Sequence, residues 1–448
     1  MPLLSNKPGQ KIIGYFALGI AVGTALLMLP ASSSGKPVAF IDALFTATSA
    51  ICVTGLTVLD TAKDFSTFGQ IVILLLIQLG GLGIMTFATI FLLAAGARLP
   101  YLDRLGLSQS FGSETRARSA HLLKAVFITT IIVEILGAAA LFIQFRGHFP
   151  TVTAAWHAVF HSIAAFCNAG FSTFSTNLEG YRGDSLLLLT ISLLIIIGGF
   201  GFAVVGEVYD RIRNRKNRLS LHSRLCLTTT GVLIIVGAVI FLVLEWSNAY
   251  QESGLVDRVV NAGFQSVTAR TCGFDAIPQA HLTDLSLLVT IVLMFIGTCP
   301  GSTGGGVKTT TLAVISLLLF NRVQGRRTVA AFKRTITNDS VLSALYVFLL
   351  ALLLIVAMVV IFMFLVERGV AHSDSQGWFM KSLFEIVSAF GTVGLSTGIT
   401  PQLSFLGKFT LVVTMFIGRV GLLTLAYSVA RPSKKAELVY LDESVMVG

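Results

Sequence analysis

The chain has 448 residues, 54% of them hydrophobic and 12% charged, with a mean hydropathy of +0.83 and a formal net charge of +10. Soluble domains carry about a quarter charged residues, so this composition excludes a soluble fold and predicts a polytopic membrane protein. Five cysteines (Cys52, Cys167, Cys226, Cys272, Cys299) without a CxxC pair exclude a closed disulfide framework and a clustered zinc site, and read as buried thiols.

Apolar segments fit to span a bilayer run over roughly 11–29, 68–95, 119–145, 184–207, 225–246, 284–320, 341–366 and 405–429. The first lacks the small-residue cleavage site of a signal peptide. Between the members of each pair lies a shorter stretch, 38–51, 153–166, 255–269 and 376–390, each about 14 residues. At 1.5 Å per residue these fall short of a hydrocarbon core of ~30 Å. Each suits a re-entrant half-helix, although any one alone fits an amphipathic surface helix equally well.

The residues just after each short stretch separate the two readings. The sequences Ser49-Ala-Ile-Cys-Val53-Thr54-Gly55-Leu-Thr57, Ala164-Ala-Phe-Cys-Asn168-Ala169-Gly170-Phe-Ser172, Val267-Thr-Ala-Arg-Thr271-Cys272-Gly273-Phe-Asp275 and Ser388-Ala-Phe-Gly-Thr392-Val393-Gly394-Leu-Ser396 share one glycine in register. These glycines are 115, 103 and 121 residues apart. A second glycine landmark, at Gly80, Gly198, Gly297 and Gly418, comes 25, 28, 24 and 24 residues later. Two linked landmarks at near-constant offset predict a fourfold internal repeat of helix, half-helix, glycine loop and helix. The expected fold is all-α, with eight spans and four re-entrant half-helices about a pseudo-fourfold pore. Its units are 1–98, 99–217, 218–334 with a broken second span, 335–430, and a tail over 431–448.

Of the 32 basic residues, 21 fall on the side of the termini and the linkers between repeats, and nine on the side of the short stretches. Lys308 and Arg419 lie inside apolar segments. The positive-inside rule then puts both termini in the cytoplasm and the glycine loops outside. The basic linkers read as topology signals, with contacts to membrane lipid or an acidic partner, and not as a nucleic-acid surface.

Non-helical backbone persists at membrane depth only when buried in protein or lining a watery cavity. Glycine allows positive φ, so successive carbonyls can turn towards one axis and replace the hydration shell of a cation. The half-helices aim their partially negative C-terminal ends at the same place. No loop brings a ring of carboxylates to the glycine position, and Asp275 occurs in one copy only. That disfavours divalent cations and protons and leaves a monovalent cation.

The fourfold plan, the VTGLT loop around Gly55, the CNAGFS loop around Gly170 and the RTCGF loop around Gly273 resemble the Trk/Ktr/HKT superfamily of K⁺ transporters across nearly the whole chain. The likeness is nearest to the membrane subunit of the bacterial Ktr uptake system. It implies a selectivity filter made by Val53, Thr54, Gly55, Asn168, Ala169, Gly170, Thr271, Cys272, Gly273, Thr392, Val393 and Gly394, with K⁺ held on backbone carbonyls. It further implies a homodimer with one pore per subunit, an octameric cytoplasmic nucleotide-binding ring as regulator, and a bacterial plasma membrane location. Na⁺ is a candidate second ion, and no organic cofactor is expected.

Two departures from symmetry stand out. The second span of the third repeat is interrupted by Gly297-Thr-Cys-Pro300-Gly301-Ser302-Thr303-Gly304-Gly305-Gly306-Val-Lys308, whose five glycines and one proline cannot sustain a helix. A glycine-rich helix packed closely on its neighbours is the bland alternative. A phosphate loop is a poor match, since Val307 separates glycine from lysine and no strand precedes it. The resemblance implies that this segment is the gate. In the fourth repeat, Arg419 stands where the other copies have Gly81, Gly199 and Thr298, either as a barrier and latch or as a structural arginine tied to carbonyls. His157 and His161 have the i,i+4 spacing of metal ligands but no third partner, and read as packing residues. Glu134 and Glu207 are expected to be interhelical hydrogen-bond partners. No catalytic constellation suggests an enzyme. The rival transport reading is a secondary cation symporter working by alternating access.

Overall fold

The computed structural model describes residues 8–94, 114–214, 218–326, 328–366 and 377–421. The tail over 431–448 and several of the linkers' basic residues lie outside the described residues. The helices in chain order are α1 (Pro8–Leu27), α2 (Phe40–Ile51), α3 (Thr67–Ala94), α4 (Glu114–Phe145), α5 (Thr151–Cys167), α6 (Ser185–Gly199) and α7 (Phe202–Arg213). They continue as α8 (Leu221–Leu244), α9 (Leu255–Thr268), α10 (Asp284–Phe295), α11 (Thr309–Val323), α12 (Asn338–Val366), α13 (Trp378–Gly391) and α14 (Phe405–Val420). A two-stranded hairpin, β1 (Ala330–Ala331) and β2 (Arg334–Thr335), joins α11 to α12.

Among the described residues, four helices are long and apolar enough to cross a membrane: Gln10–Leu27 of α1, Val126–Phe145 of α4, Leu221–Leu244 of α8 and Asn338–Val366 of α12. Only 17–28% of their most apolar stretches is buried, so their large side chains face outward, as Leu136, Ile235 and Leu353 do. An apolar exterior of this extent is stable in lipid and not in water. The four short helices α2, α5, α9 and α13 carry the buried faces instead. Their C-terminal halves are almost wholly enclosed, while their first turns stay open.

The second glycine landmark is explained by close approach. A Cβ on Gly80 would collide with the carbonyl of Ile51, one on Gly198 with that of Phe166, and one on Gly418 with that of Phe390. Each of these carbonyls sits four residues before the glycine of its loop. Thus α3, α6 and α14 cross the ends of α2, α5 and α13 so tightly that no side chain fits between them.

The segment 184–207, expected to be one span, is bent by 105° between α6 and α7. Gly201 is left-handed at the break (φ 76°), and a Cβ there would meet the carbonyl of Pro300. The interrupted segment 296–308 packs on the bend, where Phe202 N donates to the Gly301 carbonyl at 3.3 Å. On the side where the short helices begin, Lys408 of α14 pairs with Asp42 of α2 at 2.7 Å, joining the last unit to the first.

Gly80→Ala, Gly198→Ala and Gly418→Ala should each destabilise the fold by about 1–3 kcal/mol, because backbone carbonyls cannot retreat as side chains do. Gly14→Ala, which has open space around it, should be neutral or slightly stabilising. Heating the detergent-solubilised variants and following the monodisperse fraction measures this. Equal losses in all four would contradict the packing account.

Candidate functional site

Each short helix ends in a loop with the same backbone signature. The glycine is left-handed in all four: Gly55 at φ 92°, Gly170 at 64°, Gly273 at 83° and Gly394 at 97°. The residue two positions earlier is also left-handed, although none is glycine: Val53 at 56°, Asn168 at 61°, Thr271 at 77° and Thr392 at 49°. Positive φ is uncommon outside glycine and is an outlier for β-branched residues such as valine and threonine, so these turns are strained. Alternating left- and right-handed residues swing successive carbonyls to the same side of the chain, the arrangement a cation requires.

The loops meet head to tail. A Cβ on Gly55 would strike the carbonyl of Ala169, one on Gly170 that of Cys272, one on Gly273 that of Val393, and one on Gly394 that of Thr54. Each glycine therefore abuts the residue just before the next glycine, and the fourth contact returns to the first loop. The twelve residues 53–55, 168–170, 271–273 and 392–394 come together in this ring, and no residue before a glycine is more than marginally exposed. The hydroxyls of Thr54 and Thr392 are buried there without a hydrogen-bond partner.

Side chains behind the ring brace it. Ser49 Oγ accepts from Gly55 N at 3.1 Å and donates to the Leu56 carbonyl at 2.7 Å; Ser388 does the same with Gly394 N and Leu395 at the same two distances. In the third loop Thr268 Oγ1 donates to the Phe274 carbonyl at 2.8 Å, five residues from its glycine instead of six. The second loop has Ala164 at this position and takes a backbone bond alone, Ala169 N to Ala164 O at 2.8 Å.

One turn further back, His161 Nε2 lies 2.9 Å from Ser172 Oγ. Glu385 accepts from Ser396 Oγ (2.7 Å), Thr397 N (2.9 Å) and Thr400 Oγ1 (2.7 Å). Gln265 donates to Gln279, which donates to Asp275 at 2.7 Å. These residues tie down the outgoing legs of loops two, four and three. His157 bonds Thr173, and among the described residues no group of three His, Cys, Asp or Glu side chains is placed to hold a metal. Glu134 takes both its bonds from Gln78 (3.0 and 3.1 Å), whose oxygen accepts from Cys167. Glu207 accepts from the backbone of Ser220.

Above the ring lies an open cavity of about 290 Å³, lined by Gly55, Gly170, Gly394 and the acidic residues Asp60, Glu179 and Asp275. Burial raises the Glu179 carboxyl above its ordinary range, opposed by the charge of His281. Below the ring, segment 296–308 is irregular. A Cβ on Gly304 would meet Thr271 Oγ1 and one on Gly305 would meet Thr392 Oγ1, so the two glycines press on the undersides of loops three and four. Cys299 N and Thr303 N donate to the carbonyls of Gly199 (3.1 Å) and Gly198 (3.3 Å). Ser302 Oγ bonds Thr298 Oγ1 at 2.7 Å, and Lys308 Nζ caps the Gly304 carbonyl at 2.7 Å. Gly297 N bonds the Val307 carbonyl at the neck of the segment, and Pro300 and Gly301 dock on the bend at Gly201 and Phe202. Gly306 is left-handed opposite Gly297.

Arg419, almost wholly buried, donates through Nη1 to the Thr303 carbonyl and through Nη2 to the Gly80 carbonyl at 2.8 Å. It therefore bonds segment 296–308 on one side and α3 on the other. Sequence reasoning missed the left-handed residue two positions before each glycine and the hydroxyl braces. Ser49 and Ser388 are a recurrent signal for those braces, hidden by Ala164 and by the shorter third loop.

The model of the cation transport protein family TrkH matches residues 2–438. The chain is 37% identical to the potassium/sodium uptake protein NtpJ of Enterococcus hirae over 446 residues, covering 99% of this chain and 97% of that one. It is also 37% identical to the Ktr system potassium uptake protein B of Bacillus subtilis over 448 residues, with the same coverage. The crystal structure of the potassium transporter TrkH from Vibrio parahaemolyticus superposes with a TM-score of 0.74 over 96% of this chain and 86% of that chain, at 20% identity, a likeness of fold. On the family match and on these identities over the full length, the chain belongs to the TrkH family of cation transport proteins and is a membrane protein.

Proposed function

We propose that the chain is the K⁺-translocating subunit of a bacterial uptake system, with four repeats about a pseudo-fourfold axis and eight spans. The observation that carries the reading is the closed ring: four left-handed glycines, each against the carbonyl before the next. A monovalent cation entering it exchanges water oxygens for backbone carbonyls, and the strained turns keep those carbonyls from relaxing back. The short helices contribute their negative ends to the same place. Unpartnered Thr54 and Thr392 hydroxyls add oxygens that have no competing donor.

In this reading residues 297–308 are the gate and Arg419 its latch. The segment lies across the path under the ring, and Lys308 and Arg419 donate to its Gly304 and Thr303 carbonyls. The glycine loops face outward, both termini are cytoplasmic, and the membrane is the bacterial plasma membrane. A homodimer and a cytoplasmic nucleotide-binding ring complete the system. The name of the Enterococcus hirae relative, potassium/sodium uptake protein, supports a second reading in which Na⁺ is transported or required. Flux in liposomes separates channel-like passage from symport: passage down a K⁺ gradient without a co-ion supports the first, and an absolute need for Na⁺ supports the second.

Gly55→Asp, Gly170→Asp, Gly273→Asp and Gly394→Asp should each lower K⁺ over Na⁺ discrimination about tenfold or more, a loss of about 1.4 kcal/mol. Ser388→Ala should shift it in the same direction by less, since the loop keeps its fold but loses a brace. K⁺ uptake in cells lacking other K⁺ systems measures both. Unchanged selectivity in all four aspartate variants would contradict the filter.

Deleting residues within 300–306 should raise Rb⁺ flux and make it insensitive to the regulatory ring, while leaving selectivity intact. Arg419→Ala should act the same way but more weakly, because the segment remains. A deletion variant that inserts normally and transports no faster would make the segment a structural kink.

A further inference from the structure

Away from the ring, α8, α11 and the β1–β2 hairpin enclose an open groove of about 460 Å³. Leu225, Val232, Leu312 and Leu317 wall it, and Val232 is 58% exposed on the outward face. Phe332 closes one end. It is presented by a turn in which Phe332 and Lys333 are both left-handed, at φ 50° and 63°. Such turns favour asparagine and glycine, so holding a phenylalanine there is strained. The Arg224 guanidinium stands 5.8 Å from the centre of the Phe332 ring. Beyond Phe332 the side chains of Arg322, Arg326, Lys333 and Arg334 are exposed, and none forms an ion pair among the described residues.

We propose that this groove binds an anionic phospholipid of the surrounding bilayer, one acyl chain lying between α8 and α11 and the phosphate held by the cations beyond Phe332. Apolar walls that end in a cluster of unpaired cations match the order of chain and headgroup in such a lipid. A free phosphate would use the cations but leave the walls uncovered.

The two helices that wall the groove also contact the segment under the ring, through residues outside the groove itself. Thr309, the first residue of α11, donates through Oγ1 to Cys299 Sγ at 3.3 Å and through N to the Thr298 carbonyl at 3.1 Å. From the other wall, Thr230 of α8 lies 3.6 Å from the same sulfur. A chain wedged between α8 and α11 therefore bears on the helix that ends segment 296–308, so lipid composition should influence how firmly that segment is held.

Native mass spectrometry of the full chain, released from nanodiscs of phosphatidylglycerol or phosphatidylcholine, tests this without any transport measurement. The parent chain should retain phosphatidylglycerol in preference. Lys333→Gln and Arg334→Gln should each weaken retention about fivefold, the effect of one cation near an anionic headgroup. Thr228→Trp, which fills the groove, should abolish it; should that variant fail to fold, the two exposed charge variants carry the test. Equal retention of phosphatidylglycerol by parent and charge variants would overturn the proposal. So would disulfide cross-linking between two copies through Thr228→Cys, which would make the face a protein interface.

Discussion

Backbone that is not helical has no place in a hydrocarbon core unless protein or water satisfies it, and the organisation of this chain follows from that constraint. Four times a short helix stops where its neighbours bury it, and the chain must turn back without a repeating hydrogen-bond pattern. The turn is held by its own helix: the last free carbonyls accept from the loop, and a serine or threonine hydroxyl spans the glycine in three loops. What remains are the carbonyls of Thr54, Ala169, Cys272 and Val393, gathered where four glycines permit the loops to touch.

The same constraint explains the asymmetry. The third loop is one residue shorter between its brace and its glycine, and the helices that follow it, α10 and α11, are separated by residues 296–308. Carbonyls exposed by the break need donors at a depth where water is scarce. Lys308 supplies them from within the segment, and Arg419 supplies them from the fourth unit. A buried arginine is costly without acceptors, and a buried irregular segment is costly without donors, so each makes the other tolerable.

Much of this was legible in the chain. The glycine register announced the loops, the proline and glycines announced the break, and a charge in an apolar stretch announced Arg419. Close approach of helices is the reason for the second glycine landmark in three of its four copies, Gly80, Gly198 and Gly418, which spacing alone does not reveal. The bend at Gly201 was unreadable because α6 and α7 are continuous in hydropathy and the cause lies about a hundred residues away, at Pro300. The strained Val53, Asn168, Thr271 and Thr392 are not one residue type, so only coordinates expose their common conformation. Likewise His161, Gln265 and Glu385 do the same work with different chemistry, and no pattern of residue types joins them.

The central claim is that a cation sits inside the ring on the carbonyls of residues 53–55, 168–170, 271–273 and 392–394. Crystals of the protein grown in Rb⁺, with data collected across the rubidium absorption edge, address it directly. Anomalous density is expected on the axis between the four loops, at a depth shared by all of them, and should be lost when Rb⁺ is replaced by Na⁺. Rubidium bound only in the acidic cavity above, with none between the loops, would contradict the claim.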